Sequence, residues 1–448
     1  MTHSRRDLLR RSLYSAGGLT LASLATGLPA SFLRTGRLAY AETVKKPTFL
    51  VLCTNSGGHP LNVNCPGSYP NPEDGNDPRR QIEHAMTAEL GTEILEEAGG
   101  VGYGAADFEE GFPCMLGSAL AYAARPWADL PEGIRAQMAV IRHQTYTSAH
   151  PEATNVLEMH GAVKGPGRIG GESLPSMLAQ ENYAALGTTL EAPMLVGGVG
   201  FVNKGLAVRK QRPDTLYSMF ASSGTVFGMT PDEAADLRDY ALDRIYREMK
   251  TRGTHAQKSV LDNYAISRDN ARLLAEDLSV GLSPVSETND PFEKQILTAV
   301  ALIEYRVTPV ITIDLPFGGD NHQDFDLYNE VTETIRGVHY IRRLYEELVA
   351  KGLDSETTFA YLSVFGRPLK RVGGGGRGHY GYDHATVMFG PNVTPGLYGQ
   401  ITEDLKAGDI GDIPANESLE TAGKSIASAV GISEGVIEQR IVGGQPLF

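Results

Sequence analysis

The chain alternates short, continuous apolar runs with longer stretches of helical periodicity. The run Thr48-Phe-Leu-Val-Leu-Cys53 ends in Thr54-Asn-Ser-Gly-Gly-His59, which predicts a buried strand leading into a glycine-rich loop. Similar runs predict strands over 138–142, 309–315 and 357–364, with a further one at 386–389. Helical patterns cover about 151–159, most of 214–280, about 291–306, about 328–351 and about 418–430, the last closing the chain. Asp290-Pro291 is a start signal, with Asp as N-cap and Pro at the first helical position, and Pro231-Asp-Glu-Ala opens another helix with an acidic first turn. Residues 62–113, rich in Pro, Gly, Asn and Asp, read as an irregular insertion, and about 214–290 as a helical one. Strands alternate with helices, and their apolar runs are continuous. That predicts an α/β fold in three layers, a largely parallel central sheet with helices on both faces.

Composition and charge narrow the picture. The 448 residues carry a formal charge of −14. Residues 1–41 hold six Arg and one Asp, so the rest of the chain is near −19. An acidic body excludes nucleic acid as a partner, because a phosphate backbone needs a basic face. The N-terminus has the layout of an export signal: a basic head, Ser4-Arg5-Arg6-Asp7-Leu8-Leu9-Arg10, then a diluted apolar stretch, then Ala39-Tyr40-Ala41. The paired arginines resemble the twin-arginine signal, which is a receptor-read address. The expected partner is therefore the twin-arginine translocation machinery, and the expected location periplasmic or secreted. No later segment is long and apolar enough to span a membrane. Cys53, Cys65 and Cys114 form no CxxC pair; one disulfide or buried free thiols remain open.

In a doubly covered sheet, ligands bind beyond the carboxyl ends of the strands. His59, the loop with Thr147, Ser148 and His150, the pair Asp320/His322, and Arg367 with His379, Asp383 and His384 each follow a predicted strand. Asp320-Asn-His322 and Asp383-His384 each set a carboxylate beside an imidazole, the ligand mix for zinc, manganese or iron. Two such pairs could hold two ions, a geometry suited to displacement at phosphorus or sulfur. Asp320 as a turn cap and Asp383 as an ordinary loop carboxylate are the alternatives. Arg367 could bind an anionic oxygen bidentately, or tie its loop together. Thr147 and Ser148 are candidate nucleophiles or plain N-caps. His160 reads as a cap, and His84, His255 and His339 as helical residues without a catalytic role. The run Gly373–Gly376 lacks a following Lys-Ser/Thr and is not a P-loop.

These elements, taken in order, resemble an exported bacterial family known as domain of unknown function fifteen-oh-one, placed in the alkaline-phosphatase/sulfatase-like superfamily. The resemblance rests on the twin-arginine head, Gly57-Gly58 after the first strand and the segment from His150 to Gly161. It rests also on Gly319-Asp320-Asn321-His322, Ser363-Val364-Phe365-Gly366-Arg367 and Asp383-His384 followed by Gly396-Leu397-Tyr398-Gly399. It implies an alkaline-phosphatase-like domain over 42–448 and a metal site for phosphate or sulfate esters, small or polymeric. Asp320, His322, Asp383 and His384 would be ligands, with His59, His150 and His379 as further ones, and Arg367 would bind the oxyanion. The implied cofactor is a divalent metal, zinc first, manganese or calcium otherwise, with one ion or none in place of two. The chain departs from the family at Val364, where a Glu is expected, and lacks an acidic residue soon after Gly57-Gly58. The sulfatase C-x-P-x-R motif is absent. The rival expectation is a non-catalytic exported protein that keeps the fold for binding or assembly.

Overall fold

A computed structural model describes residues 45–91, 102–165, 172–220, 276–372, 375–407 and 413–448, with scattered positions between 240 and 274. The expected export signal, the helix opening at Pro231 and His255 lie outside the described residues.

The strands are β1 (Phe49–Asn55), β2 (Phe112–Leu116), β3 (Ala119–Ala123), β4 (Met138–His143), β5 (Met194–Leu195), β6 (Val202–Asn203), β7 (Leu206–Ala207), β8 (Val310–Ile313), β9 (Thr357–Ser363), β10 (His384–Phe389) and β11 (Gly396–Tyr398). The main helices are α1 (Leu174–Leu186), α2 (Pro213–Phe220), α3 (Pro291–Glu304), α4 (Tyr328–Ala350), α5 (Ser418–Ala429) and α6 (Glu434–Arg440). Seven strands form one sheet in the order β11-β4-β10-β9-β1-β8-β5. Pairing is parallel except at β10, which runs antiparallel to both β4 and β9.

The three layers follow from alternation within strands that are apolar on both faces. In β1, Phe49, Val51 and Cys53 face a core shared with Ile296 and Ile303 of α3 and Ile335 and Leu344 of α4. Leu50 and Leu52 face the opposite core, with Met177 of α1, Ile426 of α5 and Ile437 of α6. Each such side chain, fully buried, contributes about 1.5–3 kcal/mol relative to exposure. The start of α3 is set as its sequence predicts: Asp290 accepts from the amides of Phe292 and Glu293 at 2.8 and 3.1 Å.

Several expectations are corrected. The segment 151–159 is not one helix; it breaks at Met159 and His160, both left-handed at φ 49°, and the His160 ring lies 2.7 Å from the Thr145 carbonyl. The last helix is α6, not the one at 418–430. His84 is not helical and stacks on Tyr69 with ring centroids 3.7 Å apart. The described residues of the 62–113 stretch, 62–91 and 102–113, hold short helical turns ahead of β2, and they add buried Tyr69 and Phe108 to the main core. All three cysteines are free and buried.

Candidate functional site

The parallel strands β1, β4, β8 and β9 all end at one edge of the sheet, and antiparallel β10 begins there, with His384 paired opposite His143. Loops from this edge bring four predicted residues together. His150 comes from the loop after β4, Asp320 and His322 from the loop after β8, and His379 from the loop between β9 and β10. Ligand atoms of His150, Asp320 and His379 all lie within 4.8 Å of one another. His322 joins through Asp320: its Nε2 is 3.1 Å from Oδ1. Asp320 Oδ2 is 3.9 Å from His150 Nε2.

Hydrogen bonds outside the cluster set how these rings present themselves. His150 Nδ1 is 2.6 Å from the Ser56 carbonyl, and His379 Nδ1 is 2.8 Å from the Ser148 carbonyl. A carbonyl only accepts, so each Nδ1 donates its proton there and each ring turns its Nε2 towards Asp320. Metal-ligating imidazoles are oriented in this way. His379 Nε2 is buried and makes no hydrogen bond, although Asp320 Oδ1 lies 3.5 Å away. Partial burial pushes the Asp320 carboxyl up, but His322, Arg367, His379 and His150 outweigh it and hold it below its ordinary value. Burial lowers His379. Two imidazoles and one carboxylate converge, with His322 against the same carboxylate, and imidazole with carboxylate is a donor set that zinc takes.

Phe365 forms the floor, its ring 4.6 Å from that of His379 and 5.1 Å from that of His150. Gly58 makes this packing possible. It sits at φ +70°, and a Cβ there would come within 1.9 Å of the Phe365 ring.

Arg367 is not available as the expected oxyanion binder. It is fully buried, and Nε donates to the Gly58 carbonyl at 2.5 Å. Nη2 donates to Gly57 and Gly319 at 2.7 and 2.6 Å; Nη1 reaches the carbonyls of Arg377 and Gly378 and, at 3.4 Å, Asp320 Oδ1. It ties three loops together, and its donors already have acceptors.

Asp383 and His384 do not join the cluster, which corrects the expected second metal pair. Asp383 is fully buried and accepts from Arg142 Nη1 at 2.9 Å and from Asn62 Nδ2 at 3.0 Å. His384 accepts the Ser363 amide on Nε2 and stacks on Tyr361. His59 is likewise outside the cluster, buried against Tyr361 and Phe317, with Nδ1 unpartnered. Burial, then Arg367, lower its pKa to about 3. Thr147 and Ser148 flank the cluster: Thr147 Oγ1 accepts from the Ala149 amide, and Ser148 supplies the carbonyl that holds His379. Asp320 is not a helix cap; Asp324 takes that role for α4, accepting from Asn329 and Glu330 amides. Sequence reasoning missed Asn62, whose amide bridges Arg367 and Asp383, and the buried pair Arg377–Glu330 at 2.6 Å. No local motif marks either of them.

Beside the cluster lies a cleft of about 660 Å³ that includes Asp320, Asp314, Asn321, Glu333 and His59 in its lining.

A family model described as a protein of unknown function (DUF1501) matches residues 208–410, under half of the chain. That span contains Asp320, His322, Arg367 and His379 but not His150. Solved structures similar to this chain include a crystal structure of Ps i-CgsB, 11% identical, covering 89% of this chain and 75% of that one with a TM-score of 0.32. Another is Ps i-CgsB in complex with k-i-k-neocarrahexaose, at 11% identity, the same coverage and a TM-score of 0.31. No curated protein sequence matches significantly. The fold class rests on this chain's own strand order: α/β, with a mostly parallel sheet between helical layers.

Proposed function

We propose that the chain is an exported, metal-dependent hydrolase of phosphate or sulfate esters with a single-ion site. His150, Asp320, His322 and His379 would hold the ion. The observation that supports this most is the pair of Nδ1–carbonyl hydrogen bonds, which turn the Nε2 atoms of His150 and His379 onto one carboxylate. A divalent ion at such a site supplies Lewis acidity towards an ester oxygen and lowers the pKa of water. The residues of the chain do the rest. Arg367 fixes the Gly57-Gly58, Gly319 and Arg377-Gly378 backbones on which the ligands ride. Phe365 closes the floor beneath the two imidazoles. Ser148 and Thr147 are the hydroxyls proposed for a direct part in the reaction, Ser148 because its backbone already holds His379.

One observation favours the rival reading of a non-catalytic binding protein: Arg367 has no donor left for an oxyanion. Metal analysis separates the two. Protein purified without chelator and supplied with zinc is expected to hold one ion per chain. A His150→Ala, His379→Ala variant is expected to hold less than a tenth of that. Aryl phosphates and aryl sulfates then test turnover. Wild-type protein with far less than one ion per chain sinks the hydrolase reading; a loaded protein inert towards both ester classes favours the binding reading.

A further inference from the structure

The cleft next to the cluster has a chemistry of its own. Among the described residues that line it none is Lys or Arg, while Asp314, Asp320, Asp324, Glu330 and Glu333 are acidic. Two lining residues carry buried polar atoms without partners. Asn321 is 6% exposed, and its Oδ1 accepts nothing. Its amide nitrogen donates to Glu330 Oε2 at 3.3 Å, which assigns the oxygen as the unfilled acceptor. His59, 3% exposed, presents an unpartnered Nδ1. A buried acceptor left empty costs about 1–3 kcal/mol, so a ligand that donates to it recovers that loss.

The carboxylates differ in how far they are already neutralised. Asp324 caps α4, Glu330 pairs with Arg377 at 2.6 Å, and Glu333 pairs with Arg336 at 3.0 Å. Asp314 accepts from neutral amides, Asn55 Nδ2 at 2.9 Å and the Leu315 backbone. Burial pushes its carboxyl up, with Asn55, the Lys210 charge and the Leu315 amide opposing. A cation is the group that such a carboxylate lacks. A chelated metal fits less well: among the described residues, the only three His, Cys, Asp or Glu residues whose ligand atoms converge within 4.8 Å are His150, Asp320 and His379. Spread carboxylates and single acceptors suit an organic ammonium, whose charge and three N–H donors need no closed ligand shell.

We propose that this cleft is the subsite for a protonated amine, so that the ester taken at the histidine cluster is zwitterionic, anionic at the cluster and cationic towards Asp314. Asp320 belongs to both sites, which makes them adjoining ends of one binding groove. The inference rests on the hydrolase reading for the ester end alone.

The test compares 2-aminoethyl phosphate with 2-hydroxyethyl phosphate, and the two matching sulfates, on zinc-loaded full-length protein. A charge-assisted contact replacing a neutral one predicts about ten-fold higher kcat/KM for the amine. Asp314→Asn is expected to bring the ratio within about two-fold, and Glu333→Gln to lower it by a smaller factor. Parity between amine and alcohol on wild-type protein overturns the subsite while leaving the hydrolase reading intact. If none is turned over, that reading fails by itself, and calorimetric binding of the same pairs decides the subsite: tighter binding of the amines supports it, and equal or no binding overturns it. A fall in zinc content on Asp314→Asn overturns it in favour of a second metal position.

Discussion

Arg142 and Asp383 form a buried ion pair at the edge of the sheet, with Nη1 2.9 and 3.2 Å from the two carboxylate oxygens. Burial pushes the Asp383 carboxyl up, and Arg142 and Asn62 pull it part of the way back. Removing one partner strands the other charge out of water, so Asp383→Ala is expected to cost about 3–5 kcal/mol in urea unfolding. The same variant, where folded, is expected to keep the wild-type zinc content, because Asp383 is outside the cluster. Loss of zinc from a folded variant contradicts that placement.

Arg367→Lys tests the tie between loops. An ammonium has three donors and no fork, and cannot reach the Gly57, Gly58, Gly319 and Gly378 carbonyls together. The expected results are a loss of about 3 kcal/mol in stability and a roughly 10- to 100-fold weaker hold on zinc, measured by chelator competition. Unchanged zinc affinity would show that the loops keep their places without the guanidinium.

Acid is expected to destabilise the fold through its buried imidazoles. Burial is the main cause at both His143, held at about 4, and His59, held at about 3, against an ordinary 6.5; Gln144 opposes it at His143, and Arg367 adds to it at His59. These rings are neutral in the fold at pH 5 and charged in the unfolded chain, so unfolding takes up protons. Stability is therefore complete above the unfolded value and falls as pH drops from 6.5 towards 4, by about 1.4 kcal/mol per pH unit for each proton. His84 and His384 are lowered too, burial again leading, and add in the same direction. Urea unfolding of chelator-treated protein between pH 4.5 and 7.5 measures the slope; a flat profile contradicts it.

Export by the twin-arginine route is tested at Arg5 and Arg6. With Arg5→Lys and Arg6→Lys together, the precursor is expected to accumulate in the cytoplasm and the periplasmic pool to fall sharply in cell fractionation. Unaltered fractionation removes the twin-arginine proposal and leaves the site unaffected.

The layers were legible because β1 and β9 are apolar on both faces, a property that lies in consecutive residues. The direction of β10 was not: an apolar hexamer reads the same either way, and its pairing depends on β4, far back in the chain. The same limit divides the site. Asp320 and His322 were readable as neighbours at a strand end. Asp383-His384 has the same local chemistry, yet Asp383 is claimed by Arg142, 241 residues away. Arg367 shows the limit from the other side: an Arg in a loop advertises anion binding, and only the assembled carbonyls reveal that its donors are spent.

Because β10 runs against its neighbours, the chain leaves β9 and re-enters the sheet at the same edge. Residues 364–383 are therefore a closed excursion, with both feet on the sheet and no crossover to complete. Its length does not enter the strand order, but Arg367, Arg377 and Asp383 bind groups outside it and fix three of its positions. His379 and Arg367 travel on it, while His150, Asp320 and His322 stay on other loops. Exchange of this one segment between relatives, with those three residues kept, would change the site's chemistry in a single step and leave the scaffold as it was.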